Sequence, residues 1–143
     1  MKGTFVVIPA YNEAKTIRAV VNAVLYCDVD RVIVVDDGSR DGTASELSLA
    51  DLEVLRHPVN MGKGFALASG LERALRLGAE RVVTLDADGQ HSPSDIPRLE
   101  YAATQNANAV VIAARLRGRE RAPALRRFAN DVADFWISWA CGC

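Results

Sequence analysis

Asp86-Ala87-Asp88-Gly89-Gln90 follows directly on the run Arg81-Val82-Val83-Thr84-Leu85, so two carboxylates sit where a buried strand would emerge into a loop. Alternate residues of an extended segment share a face, which puts Asp86 and Asp88 on one side and Ala87 on the other. Two hard oxygen ligands then converge, with the Gln90 amide oxygen available as a third. Mg²⁺ or Mn²⁺ commonly completes such a partial shell with water and substrate phosphate, so the implied substrate is a phosphate ester or a diphosphate. Taken without its neighbours, the Asp-x-Asp pair can equally be a turn former or a helix cap.

The elements needed to position these residues are legible as β-rich runs alternating with segments of helical period, with no linker or internal repeat between them. Thr4 to Ile8 is expected as the first strand, and Asn12 as the cap of a helix in which Ile17, Val20, Val21, Val24 and Leu25 recur at helical steps. Arg31 to Val35 is a β-branched run suited to a strand covered on both faces, and Thr43-Ala-Ser-Glu46 has the form of a capping box. Leu52 to Leu55 is a shorter strand. The turn-rich His57-Pro-Val-Asn-Met-Gly-Lys-Gly64 follows, then a helix from about Phe65 to Leu77 that Gly78 can end. The fourth strand, Arg81 to Leu85, delivers the carboxylates. Ser94 is expected to cap a helix with Pro97 in its first turn, and Ala109 to Ala113 to form a fifth strand. Strands joined by helices imply an α/β, mostly parallel, Rossmann-like sheet, and ligands collect outside the carboxyl ends of such strands.

Composition agrees with one globular domain. The chain has 143 residues, of which 50% are hydrophobic and 24% charged, with a formal net charge of −1, so no basic field invites nucleic acid. The short run Phe5-Val6-Val7-Ile8-Pro9 is too brief for the apolar core of a signal peptide, and there is no stretch long enough to span a membrane. With three cysteines, Cys27 isolated and Cys141 and Cys143 close together, the expectation is free thiols in a reducing, cytoplasmic setting.

Several generic phosphate and metal motifs do not fit. Gly62-Lys63-Gly64 lacks the earlier glycine and the following Ser or Thr of a P-loop, although Lys63 can still line an anion site. Asp37-Gly-Ser39-Arg-Asp41-Gly42 begins like a calcium loop but has Ser48 where the bidentate Glu belongs. Pro9-Ala-Tyr-Asn-Glu13 has no glycine for the tight diphosphate approach of a dinucleotide fold, which disfavours a nicotinamide cofactor.

Four segments together carry more than any one of them: Val7-Ile-Pro-Ala-Tyr-Asn-Glu13; Val34-Val-Asp-Asp-Gly-Ser39 with Asp41-Gly-Thr43; Asn60-Met-Gly-Lys-Gly64; and Leu85-Asp-Ala-Asp-Gly-Gln-His91. In this order the chain closely resembles the family 2 glycosyltransferases of the GT-A fold, in particular the dolichol-phosphate mannosyltransferase-like and polyprenyl-phosphate glycosyltransferase branch. The resemblance implies a nucleoside-diphosphate sugar as donor, GDP- or UDP-linked. It places Pro9, Tyr11, Glu13 and the turn from Val35 to Asp37 around the nucleoside, with Asp37 at the base. It further implies that Asp86, Asp88 and Gln90 hold Mg²⁺ or Mn²⁺ against the diphosphate, with Ala87 and Arg115 beside it, and that Asp86 and Asp88 carry the chemistry. Inversion by in-line attack is implied too, and a polyprenyl phosphate acceptor, being already anionic, needs no strong base. Plainer readings stand beside these roles: Tyr11 covering the sheet edge, Asp37 shaping a turn, Glu13 favoured by a helix dipole, and His57 and His91 as turn or surface residues.

The acceptor side departs from the resemblance. Arg115, Arg117, Arg119, Arg121, Arg126 and Arg127 lead into a helix bearing Leu125, Phe128, Ala129, Val132, Phe135, Trp136 and Trp139. Such a segment can approach a lipid phosphate at a membrane surface, or be a solvated loop followed by a packing helix. The relatives continue with further acceptor-binding structure, so the chain is expected to hold the nucleotide-sugar-binding portion, with an apolar helix stripe open to self-association. Two alternatives remain from the sequence: a non-catalytic nucleotide-sugar-binding module, and a phosphohydrolase of the haloacid dehalogenase kind. The dehalogenase reading is opposed by the late position of the Asp pair and by Gln90.

Overall fold

A strand covered on both faces has no polar side to alternate, and Thr4–Ala10 is such a strand, buried at every residue. This is β1 of a computed structural model that describes residues 3–48, 52–105 and 110–111. It lies between two parallel neighbours, β2 (Arg31–Asp36) and β4 (Arg81–Thr84), and β3 (Leu52–Arg56) pairs in parallel with the far side of β2, giving the order β3-β2-β1-β4. The expected parallel α/β sheet is therefore present, and β1 runs two residues beyond Ile8.

Period-two alternation divides the core into two layers. Val6, Ile8, Ala10, Val32 and Val34 face α1 (Ile17–Leu25), which contributes Ile17, Val20, Val21 and Val24. Phe5, Val7, Ile33 and Val35 face α3 (Lys63–Arg76), which contributes Ala66 and Ala74. Helix α3 crosses so near the sheet that a Cβ on Gly70 would overlap Val7 Cγ1 and lie 3.1 Å from Val35 Cγ2. Gly70→Ala is therefore expected to destabilise the protein by about 1–3 kcal/mol through overpacking, although alanine is the better helix former by about 1 kcal/mol. A urea midpoint equal to or above that of the parent would contradict this close approach.

The helix starts differ from the sequence expectations. Asn12 does not cap α1: it has a φ of 56°, and its Oδ1 accepts the Arg40 N–H at 2.9 Å. Thr16 occupies the N-cap position instead, without a side-chain capping bond. Thr43 does not form a capping box with Glu46. It is the first residue of the short α2 (Thr43–Glu46), behind Gly42 at φ 94°, while Glu46 pairs with Arg18 at 3.1 Å. Ser94 lies inside a 3₁₀ turn at Pro93–Asp95 that leads into α4 (Ile96–Gln105), with Pro97 in the first turn as expected. In the first two cases, the side chain that a local rule assigns to a cap is drawn to a partner far away in sequence.

The chain divides into the units Met1–Ala107 and Asn108–Cys143. The second lies almost wholly outside the described residues, and with it Arg115 to Arg127 and the amphipathic helix. Of the expected fifth strand only Val110 and Val111 are described, and neither is in a regular element. Among the described residues, no helix is long and apolar enough to cross a membrane.

Candidate functional site

The chain passes from β1 to β2 to β3 in one direction and then returns to place β4 on the other side of β1. Such a reversal opens a crevice outside the carboxyl ends of the two strands that flank it. Here those ends carry Pro9 to Glu13 and Asp86 to Asp88. A cavity of about 280 Å³ lies there, lined by Pro9, Ala10, Tyr11, Glu13, Asp37, Asn60, Gly62, Lys63, Ala66, Asp86, Ala87 and Asp88. Of the residues expected at the site, Val35 is not in this lining, because its side chain is buried in the layer under α3. Gln90 is absent from the lining as well, its N–H donating to Asp88 Oδ1 at 2.8 Å. Arg115 lies outside the described residues.

The loop after β1 is held by the loop after β2. The consecutive N–H groups of Asn12, Glu13 and Ala14 donate to Ser39 Oγ, Thr43 Oγ1 and Asp41 Oδ2 at 2.9, 2.9 and 3.0 Å. Asp41 Oδ1 in turn accepts the Thr43 hydroxyl at 2.6 Å. That hydroxyl, then the Ala14 N–H, hold the Asp41 carboxyl below the ordinary aspartate range. Glu13 precedes α1: its carbonyl accepts the N–H groups of Thr16 and Ile17, and its Oε2 the Thr16 hydroxyl at 3.0 Å. Tyr11 stands at the rim, 44% exposed.

Asp37 is 2% exposed, and both its carboxylate oxygens have hydrogen-bond partners. Its Oδ1 meets His57 Nδ1 at 2.6 Å and the Met61 N–H at 2.9 Å, and its Oδ2 accepts the Gly62 N–H at 2.8 Å. His57 Nε2 reaches Ser69 Oγ at 3.1 Å, and Phe65 packs edge-on to the ring. His57 is therefore neither a surface nor a simple turn residue: it ties β2 to α3. The seat is tight, since a Cβ on Gly38, at φ +73°, would lie 2.5 Å from the Val59 carbonyl carbon. Burial raises the Asp37 pKa, but the bonds from His57, Met61 and Gly62 outweigh it and hold the carboxyl below its ordinary 3.8. A carboxyl lowered by folding gives stability that is complete above the unfolded value and lost as pH falls through the folded one. Thermal midpoints are thus expected to fall as pH drops below about 4, and Asp37→Asn to flatten that decline. An unchanged acid profile in Asp37→Asn would count against this seat.

At the β4 end the ladder extends one bond past the strand, Leu85 N–H to the Val7 carbonyl, and Ala87 turns into the core. The strand itself ends at Thr84, one residue before the expected Leu85, and Ala87 and Asp88 lie in a turn. Asp86 Oδ2 takes Lys63 Nζ at 2.8 Å, with His91 Nε2 at 3.9 Å. Among the described residues, no group of three or more His, Cys, Asp or Glu side chains is arranged as a metal cage. Two hard carboxylates in an open crevice instead suit an ion that takes its remaining ligands from phosphate and water, the habit of Mg²⁺ and Mn²⁺. Two contacts at this edge of the sheet are not written in local sequence: Lys63 on Asp86, and His57 on Asp37 and Ser69.

The glycosyl transferase family 2 model matches residues 5–131. The chain belongs to that family. Curated relatives include the UDP-N-acetylglucosamine–dolichyl-phosphate N-acetylglucosaminyltransferase of Methanococcus voltae, 35% identical over 79% of this chain and 52% of that protein. Another is the polyprenol monophosphomannose synthase of Mycolicibacterium smegmatis, 38% identical over 76% of this chain and 43% of that protein. This family 2 chain thus spans about half the length of the curated relatives it matches. Among solved structures, glucosyl-3-phosphoglycerate synthase of Mycobacterium tuberculosis, in complex with Mn²⁺, UDP and glucosyl-3-phosphoglycerate, matches with a TM-score of 0.57 and 31% identity over 73% of this chain and 40% of that one. The TarS fragment of S. aureus, at 21% identity and a TM-score of 0.58 over 78% of this chain and 38% of that one, shares the fold. The fold is that of GT-A glycosyltransferases. The dehalogenase alternative ends here.

Proposed function

We propose that this chain binds the nucleoside-diphosphate sugar of a metal-dependent, inverting sugar transfer to a polyprenyl or dolichyl phosphate. The observation that carries this reading is the convergence of the β1 loop, the Asp37 seat, Lys63 and the Asp86–Asp88 pair on one crevice at the strand-order reversal. The names of the relatives supply the chemical class: sugar nucleotides, polyprenyl-linked acceptors and Mn²⁺.

In this reading Pro9, Tyr11 and Glu13 border the nucleoside, and Asp37 acts on it by fixing the 57–62 loop, which brings Asn60 and Gly62 to the cavity. The N-terminus of α3 opens on the same cavity, and its dipole favours a diphosphate there. Asp86 and Asp88 would hold Mg²⁺ or Mn²⁺, which supplies neutralisation of the charge that builds on the departing diphosphate. An anionic phosphate acceptor needs no proton removed, so no general base is required of these residues. GDP and UDP are the candidate nucleotides, and a peripheral position at the cytoplasmic membrane surface would bring the acceptor within reach.

A thermal-shift panel of nucleoside diphosphates and sugar nucleotides with and without Mn²⁺ tests the proposal. Ligand at 100 times its Kd stabilises the folded state by about 2.7 kcal/mol. At least one nucleotide should raise the melting temperature, and more strongly with Mn²⁺ than with chelator; no shift with any of them would overturn the donor-site reading.

A further inference from the structure

Among the described residues, four carboxylates and one ammonium line the donor crevice: Glu13, Asp37, Asp86 and Asp88 against Lys63. Asp37 is already matched by His57 and two backbone N–H groups, and Glu13 accepts the Thr16 hydroxyl. Lys63 Nζ sits instead on Asp86 Oδ2, at 2.8 Å. The root of Lys63 is fixed, because the preceding Gly62 donates to Asp37 and its carbonyl accepts the N–H groups of Phe65 and Ala66. Its side chain is free to swing, being 66% exposed, and Asp86 is 34% exposed.

An ammonium and a divalent cation brought to the same carboxylate repel each other, and an exposed ion pair is weak enough to be displaced. We propose that Lys63 is a built-in counter-ion competing with the divalent metal for Asp86, so that the protein alone holds metal weakly and takes up metal and diphosphate together. The inference rests on the metal site of the proposed function and adds its regulation. Metal arriving alone displaces the Lys63 ammonium from Asp86; metal arriving with a diphosphate offers it a phosphate oxygen in exchange. Linkage makes this reciprocal, so the diphosphate tightens the metal by the factor by which the metal tightens the diphosphate.

The test is electron paramagnetic resonance of Mn²⁺ titrated into parent, Lys63→Met and Lys63→Arg proteins, with and without UDP or GDP. Without nucleotide, Lys63→Met is expected to bind Mn²⁺ about fivefold more tightly than the parent, the ratio corresponding to the ~1 kcal/mol of an exposed ion pair. Lys63→Arg, which keeps the charge, should stay near the parent. The factor by which nucleotide tightens Mn²⁺ should shrink in Lys63→Met. An Mn²⁺ affinity of nucleotide-free Lys63→Met equal to or below the parent's would overturn the competition while leaving the donor site standing. A parent protein that takes no Mn²⁺ even with nucleotide would overturn the donor site and the competition with it.

Discussion

Asp37→Ala is expected to lose nucleotide binding and a large part of the protein's stability together. The carboxylate is buried and receives the Met61 and Gly62 N–H groups and His57 Nδ1, all within 3.0 Å. Truncation leaves those donors facing an apolar gap, and each unsatisfied buried donor costs about 1–3 kcal/mol. A net loss of ~3 kcal/mol is the central expectation once water has partly entered. The damage also spreads to the phosphate side of the crevice, since Gly62 precedes Lys63. Chemical denaturation combined with calorimetry on the nucleotide checks both parts. Normal stability with a selective change in base preference would instead mean that Asp37 meets the base directly and does little for the loop.

Asp88→Asn is expected to lower Mn²⁺-dependent binding of a nucleoside diphosphate while leaving binding of the bare nucleoside nearly unchanged. Loss of one anionic ligand should exceed the roughly 10–100-fold that loss of an outer partner costs a metal site. Asp88 is partly exposed in a turn, and its one described bond, from the Gln90 N–H, can be kept by the asparagine oxygen, so folding should be spared. Calorimetric titration of the two ligands in Mn²⁺ separates the terms. Equal losses for nucleoside and diphosphate would remove Asp88 from the metal site.

The strands and the carboxylate pair were legible because each is written in contiguous residues. Val6 to Ile8 and Val32 to Val35 are apolar without interruption since both faces of those strands are covered. Asp86 and Asp88 stand out at a strand end. Asn12 and Thr43 fit local capping rules, but their partners lie 28 and 30 residues away, across the contact between two loops, which no local rule anticipates. His57 is hidden for a similar reason: a lone histidine among Pro58, Asn60 and Gly62 looks like part of a turn, and its contacts are to Asp37 and Ser69, distant in sequence. The sequence offers Lys63 only as a lining of an anion site; the return of the chain to β4 places Asp86 opposite it. Pairwise chemistry between distant segments is what the fold adds to the motifs.

Anomalous diffraction from crystals of the protein soaked with Mn²⁺ and UDP or GDP tests the central claim most directly. The donor-site account predicts one strong Mn²⁺ peak within coordination distance of carboxylate oxygens of both Asp86 and Asp88, bridging to the diphosphate, with the base lodged between the β1 loop and the Asp37 seat. A nucleotide bound elsewhere, or Mn²⁺ bound away from both aspartates, would contradict it.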